Sequence, residues 1–420
     1  MNANKAKNTK KVSDKTLIVG VDIGKVNNFG YFRCPDGTEI KPFKFLNRRP
    51  GFDKLWERIC ETKTANNLEE IVVGFESTGS YAEPFLHYMM KKDVKIVQVN
   101  PMHTKKLKEL QGNSPNKTDQ KDPKVIADII ELGRALTVVV PEGAAAELRR
   151  LTDARERGSK SLTMILNQLQ SQLFIIFPEF LDVMKGVKSK TAQYLLEQYT
   201  TPHDIVELGL EELTAILKKI SRGQLCKERA KALYEAAESS VGVQEGKFSI
   251  SFEIKQLLAV IKASEHYIAE LEKEMCRHLK EIPYSSSILS IKGVGTITTS
   301  GLIGEVGDFT KFNTISEVMK LAGFDLFEIS SGNHNGDRHI SKRGRSLMRK
   351  LLFFAAINMV RKNGIMHEKY QNYLKRGMPK MKALIAIARK LLCIIFALVR
   401  NHSEYIVGYE KRKDKLKKAA

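Results

Sequence analysis

The sequence predicts an α/β domain over residues 17–140 followed by an almost wholly helical remainder, and three observations carry that prediction. Short apolar runs bounded by turn residues recur through the first hundred positions, the pattern of buried strands. Beyond residue 141 the apolar residues instead recur at helical spacing over long stretches. The charge divides the same way. Residues 17–130 hold 18 Lys/Arg against 15 Asp/Glu, whereas residues 338–390 hold 15 Lys/Arg against Glu368 alone.

Thr16–Asp22 (TLIVGVD) reads as a first buried strand. Asn28–Cys34 and Glu39–Leu46 follow across the turn signal Pro35-Asp36-Gly37, so the first three strands form a meander. Phe52–Thr62 reads as a helix, Glu70–Phe75 (EIVVGF) as a fourth strand, Tyr81–Lys91 as a helix and Lys95–Val99 (KIVQV) as a fifth strand. Three antiparallel strands followed by alternating helices and strands is the order of an RNase H-like fold. Glu147–Phe177 and Phe252–Leu279 then predict two long amphipathic helices, an antiparallel, coiled-coil-like arm over residues 141–283. Residues 185–245 would be a helical insertion within it. From residue 284 to 400 a mainly helical C-terminal domain is expected. Ile291-Lys292-Gly293-Val294-Gly295 gives it a helix-hairpin-helix-like element whose backbone N–H groups could approach a phosphate. Residues 1–16, with five Lys and one Asp, and residues 401–420 read as solvated basic tails, the first rather than a secretory leader.

Composition narrows the function. The chain has 420 residues, with 69 Lys+Arg against 48 Asp+Glu, a net charge of +21. Such an excess makes a polyanion the default partner. At 42% hydrophobic residues the chain is richer in core than ribosomal or histone-like packing proteins. The longest apolar run, Leu391–Val399, is far short of the roughly 20 residues a bilayer span needs, so no membrane partner is expected. Cys34, Cys60, Cys226, Cys276 and Cys393 are scattered without a CxxC pair, which argues for reduced thiols and against zinc.

Two constellations carry chemistry. Asp22 closes the first strand and Glu76 the fourth, neighbouring strands in the predicted sheet, and Asp119 and Asp122 stand three apart at the start of a helical stretch behind Thr118, a candidate N-cap. Four hard oxygen ligands around one point suit Mg²⁺ or Mn²⁺. Singly, each has an ordinary reading as a turn or helix-start residue. Asp22 between glycines also resembles the phosphate loop of actin-like kinases, but their later adenosine-binding glycine signatures are not evident. The second constellation is Ile329-Ser330-Ser331-Gly332-Asn333-His334-Asn335-Gly336, a polar loop between two helices that leads into a basic helix start. A serine there could attack a phosphodiester beside Arg338, Lys342, Arg343, Arg345 and Arg349, although loop serines are more often ordinary.

Taken in order, VDIGK, FESTGSY, VQVNP, KTDQKD, IKGVG, FNTISEVMKLAGF, SSGNHNGDRHISKRGRSLMRKLLFFAA and KALIAIARKLL resemble the DEDD transposases of the insertion-sequence-110 family, which includes the Piv-type DNA invertases. The likeness spans most of residues 17–400. It implies a RuvC-like N-terminal domain in which Asp22, Glu76, Asp119 and Asp122 hold Mg²⁺ (or Mn²⁺), and a C-terminal domain with Ser331 as nucleophile beside its neighbour Ser330. It implies nucleic-acid contacts at Lys292 and the basic residues above, donor and target DNA, and a structured non-coding guide RNA. A homo-oligomer (dimer or tetramer) with shared active sites, in a prokaryotic cytoplasm near the nucleoid, completes the expectation. Pro123 departs from the family's usual Ala but suits a first helical turn, and the 185–245 insertion is long for the family. A site-specific invertase, a RuvC-like endonuclease using water, and a non-catalytic nucleic-acid-binding factor remain alternatives.

Overall fold

A computed structural model describes residues 13–76, 79–111, 122–225, 227–328 and 338–408. The chain divides at Val139/Val140 into two compact units.

The first unit is built on β1 (Thr16–Asp22), β2 (Asn27–Arg33), β3 (Glu39–Leu46), α1 (Arg49–Ala65), β4 (Glu70–Glu76), α2 (Glu83–Met89), β5 (Lys95–Val99), α3 (Pro101–Gln111), α4 (Asp122–Glu131) and β6 (Leu136–Thr137). Its six strands lie in the order β3-β2-β1-β4-β5-β6. The first three form the expected antiparallel meander, while β1, β4 and β5 run parallel. The stretch read as one helix from Tyr81 is a short 3-10 turn over Gly79–Ala82 followed by α2. Alternation along β1 sends Leu17, Val19 and Val21 into a core shared with Phe52, Leu55 and Phe85. Ile18 joins Val72, Ile126 and Ile130 on the opposite face, which α4 covers. The odd-numbered and even-numbered residues of β1 therefore serve different layers.

The second unit is helical. Two long helices, α5 (Gly143–Ile176) and α11 (Lys247–Leu279), pack along each other antiparallel. Arg155 meets Glu272 at 2.6 Å, Gly158 lies against Tyr267 and Ile268, and the Val243 N–H reaches Ile175 O at 2.9 Å just before α11 begins. Between them come α6 (Pro178–Met184), α7 (Lys190–Gln198), α8 (Pro202–Leu208), α9 (Leu210–Ile220) and α10 (Lys227–Glu238), which close a core of Leu173, Phe177, Phe180, Leu195, Leu213 and Leu233. The remainder comprises α12 (Ser285–Leu289), α13 (Thr296–Val306), α14 (Ile315–Ala322), the paired two-residue strands β7 (Leu326–Phe327) and β8 (His339–Ile340), α15 (Ser346–Met359), α16 (His367–Lys375) and α17 (Lys380–Arg400). These bury Leu302, Phe309, Phe324, Leu352 and Leu391 around α17. Among the described residues no helix is long and apolar enough to cross a membrane, and Cys34, Cys60, Cys276 and Cys393 are free thiols.

Candidate active-site acids and the basic hairpin

Asp22 and Glu76 end adjacent parallel strands. The β1–β4 register pairs Gly20 with Gly74 and Val21 with Phe75, so Asp22 and Glu76 come next, side by side. Period-two alternation puts both on the even-numbered face of β1, the one α4 covers. Two glycines make that cover close. A Cβ on Gly20 would stand 2.1 Å from the Pro123 carbonyl oxygen, and one on Gly74 would stand 2.3 Å from Ile130 Cδ1. The glycine two residues before each acid thus lets α4 lie directly on the sheet, and α4 begins at Asp122. Asp119 lies outside the described residues.

The backbone after Asp22 is fixed by two asparagines that the sequence did not single out. Buried Asn28 accepts from the Gly24 N–H at 3.0 Å and donates to Asn47 Oδ1 at 3.2 Å, and Asn47 donates to Gly24 O at 2.9 Å. A second unanticipated element is α3. Its start carries a signal: Asn100 accepts from the Met102 N–H at 2.9 Å, and Pro101 fills the first helical position. Thr104 and Lys108, one turn apart on α3, reach two of the acids. The Thr104 hydroxyl donates to Glu76 Oε2 at 2.9 Å, and Lys108 Nζ lies 2.6 Å from Asp122 Oδ1.

The three described acids are not drawn within 4.8 Å of one another. Among the described residues, the His/Cys/Asp/Glu group that does meet that spacing is His203, Asp204 and Glu207 on α8. Its chemistry is accounted for by the helix itself. Asp204 accepts from the Thr201 N–H at 2.8 Å in a capping box, and His203 and Glu207 are an exposed i,i+4 pair. The donor chemistry of Asp22, Glu76 and Asp122 does fit a hard divalent cation: three carboxylates, two in register on the sheet and one on the helix packed over that face.

In the second unit, Ser330 and Ser331 lie outside the described residues, in the segment that links β7 to β8. The described residues on either side of it are short paired strands, not helices, with Phe327 opposite His339. Below the strands, the Ser341 N–H bonds Asp325 O at 2.7 Å and the Lys342 N–H bonds Gly323 O at 3.0 Å. Gly323 takes φ +68°, and an added Cβ there would touch Arg349 Nη1 at 2.8 Å. The expected basic helix start is also displaced. Residues 342–344 form a tight loop, Lys342 itself at φ +54°, and α15 begins at Ser346.

The basic residues divide by orientation. Lys292, Lys342 and Arg343 are exposed. Lys292 stands in the turn between α12 and α13, where Gly293 takes φ +101°. Arg338 is exposed and pairs with Glu328 at 2.7 Å across the hairpin. Two residues expected at phosphates turn inward instead. Arg349 Nη1 donates to Ala322 O at 2.8 Å and Gly344 O at 3.0 Å, holding both sides of the hairpin's base. Arg345 lies 3.7 Å from the Glu305 carboxylate and donates to the Glu305 carbonyl. Burial, with Arg149 nearby, pushes its guanidinium down to about 10, still a cation at neutral pH. Burial likewise raises the Glu305 carboxyl above its ordinary range. Charge alone marks both arginines as surface residues; only the packing reveals their inward partners.

Two transposase family models match the chain, a DEDD transposase model over residues 19–178 and the transposase IS116/IS110/IS902 family over residues 285–371. The insertion element IS110 protein of Streptomyces coelicolor is 21% identical over 93% of this chain and 96% of its own length. The transposase for insertion sequence element IS1111A of Coxiella burnetii is 25% identical over 84% of each chain. The pilin gene-inverting protein of Moraxella lacunata is 25% identical over 46% of this chain and 58% of its own. The first model covers the sheet that carries Asp22 and Glu76, and the second covers the hairpin. On these matches the chain belongs to the insertion-sequence-110 family of transposases, enzymes that cleave DNA and transfer its strands.

Proposed function

We propose that this transposase cuts and rejoins DNA through Ser331, assisted by a divalent cation, Mg²⁺ or Mn²⁺, held by Asp22, Glu76, Asp119 and Asp122. The observation that carries the metal reading is the glycine-permitted seating of α4 on β1 and β4. It brings Asp122 to the face on which Asp22 and Glu76 stand in register. When bound, the cation would polarise the scissile phosphate and stabilise the departing oxygen. The protein's share is positional: Asn28 and Asn47 fix the backbone after Asp22, and Thr104 orients Glu76. In the serine step, Ser331 Oγ loses its proton and bonds to phosphorus, a bridging P–O bond breaks, and the departing sugar oxygen gains a proton. Attack by a sugar hydroxyl on the phosphoserine reverses these changes and joins new strands, so no phosphodiester is lost to water.

Of the six basic residues singled out from the sequence, Lys292, Lys342 and Arg343 are exposed to DNA phosphates, Lys292 within a helix-hairpin-helix-like turn, and Arg338 is exposed beside Glu328. The paired α5 and α11, a coiled-coil-like arm, suit a scaffold for a homo-oligomer with shared sites, and the surplus charge suits a structured guide RNA. The likeness to a pilin gene-inverting protein favours one second reading, site-specific inversion by the same chemistry. The test is strand exchange on element-end DNA. Asp22→Asn or Glu76→Gln, or chelation of the metal, should stop it; recombination unaffected in EDTA would remove the carboxylate site. Free nicked DNA with no protein attached would instead point to a water-using nuclease.

A further inference from the structure

Lys108 is paired with one of the three described acids. Asp122 and Lys108 are both partly sheltered, their side chains 17% and 35% exposed, and their atoms meet at 2.6 Å. Lys108 shares a helical face with Thr104, which bonds Glu76, so α3 touches two acids through one turn. Carboxylates gathered on one face repel one another until a cation joins them. An ammonium on a flexible four-carbon stem is the side chain best suited to supply that charge and then withdraw. Among the described residues, Asp22, Glu76 and Asp122 do not all lie within 4.8 Å of one another.

We propose that Lys108 is a resident counter-ion of the acid site: it holds Asp122 while no divalent cation is bound and must release it when one enters. The idea rests on the metal reading of Asp22, Glu76 and Asp122. Lys108 and the metal compete for one carboxylate, so metal affinity is set below what the acids alone would give. The ion pair also braces α4 against α3 in the metal-free protein.

The test is Mn²⁺ binding to the full-length protein by calorimetry and by electron paramagnetic resonance, without DNA. Losing one partly exposed ion pair corresponds to about a fivefold change in affinity. Lys108→Met should therefore bind Mn²⁺ about fivefold more tightly, and Lys108→Arg, which keeps the charge, should stay near wild type. Lys108→Met should also melt lower without metal and gain more from added Mn²⁺ than wild type does. Lys108→Gln repeats the measurement should the methionine variant fold poorly. A folded Lys108→Met or Lys108→Gln protein with unchanged or weaker Mn²⁺ affinity would overturn the counter-ion role while leaving the metal site standing. A wild-type protein that binds no Mn²⁺, or binds it equally after Asp22→Asn, would overturn the metal site and this role with it.

Discussion

Gly20→Ala tests the seating of α4 on the sheet with a single methyl group. The new Cβ would stand 2.1 Å from the Pro123 carbonyl oxygen and 3.1 Å from the Ala127 nitrogen, both backbone atoms that no rotamer change can move. Carbon–oxygen contacts settle near roughly 3.3 Å, so α4 has to retreat by about 1 Å at its first turn. Overpacking of that kind costs about 1–3 kcal/mol. For a unit of this size that lowers the melting temperature by about 3–9 °C. Asp122 opens the displaced helix, and a misplacement of about 1 Å can lower a catalytic rate on the order of 100-fold. Differential scanning fluorimetry and strand transfer on element-end DNA read the two effects separately. Gly74→Ala is the internal control, since its Cβ meets the movable end of Ile130 at 2.3 Å. Ile130→Val should relieve Gly74→Ala and leave Gly20→Ala unrelieved. A Gly20→Ala protein with wild-type melting and wild-type strand transfer would refute the close-seating argument.

Arg345→Met should destabilise the second unit by about 1–3 kcal/mol in denaturant unfolding, because it removes one of the two cations facing the Glu305 carboxylate, Arg149 remaining, together with the hydrogen bond to the Glu305 carbonyl. The exposed pair should behave differently: Lys342→Ala with Arg343→Ala should leave unfolding unchanged and reduce the salt slope of DNA binding by about 2. Lys124, then Tyr31, hold the Glu39 carboxyl down to about 2. A depressed acid contributes its stability above the ordinary carboxylate range and loses it as pH falls toward that value. Glu39→Gln should accordingly flatten the acid limb of the first unit's stability below about pH 4.5, by no more than about 1 kcal/mol for so exposed a pair. Equal acid limbs in the two proteins would contradict the assigned role of Lys124.

The sheet is largely legible in the sequence because its signals are local. β1, β3 and β5 span the residues that their apolar runs and bounding turns indicate. The two long helices follow from spacing as well, each extended at its N-terminal end by residues outside the strict pattern. α3 is not legible in the same way because Lys105, Lys106, Lys108 and Glu109 blur any apolar stripe, although Asn100-Pro101 marks its start. β7 and β8 are two residues each, too short for periodicity to register. The site is legible as residue types, and what the sequence hides is what each side chain touches. Lys108 reads as one more surface lysine until α3 lies beside α4, and Arg345 and Arg349 read as phosphate ligands until their inward partners are seen.

Ser331 and the acid site meet in one chemical prediction, a covalent protein–DNA intermediate that needs metal. Element-end DNA incubated with wild-type protein, Ser331→Ala, Ser330→Ala and Asp22→Asn, each with Mg²⁺ and with EDTA, is resolved on a denaturing gel. An adduct is expected for wild type and Ser330→Ala in Mg²⁺, and none for Ser331→Ala, for Asp22→Asn or in EDTA. An adduct that survives Ser331→Ala, or forms undiminished in EDTA, would contradict that prediction.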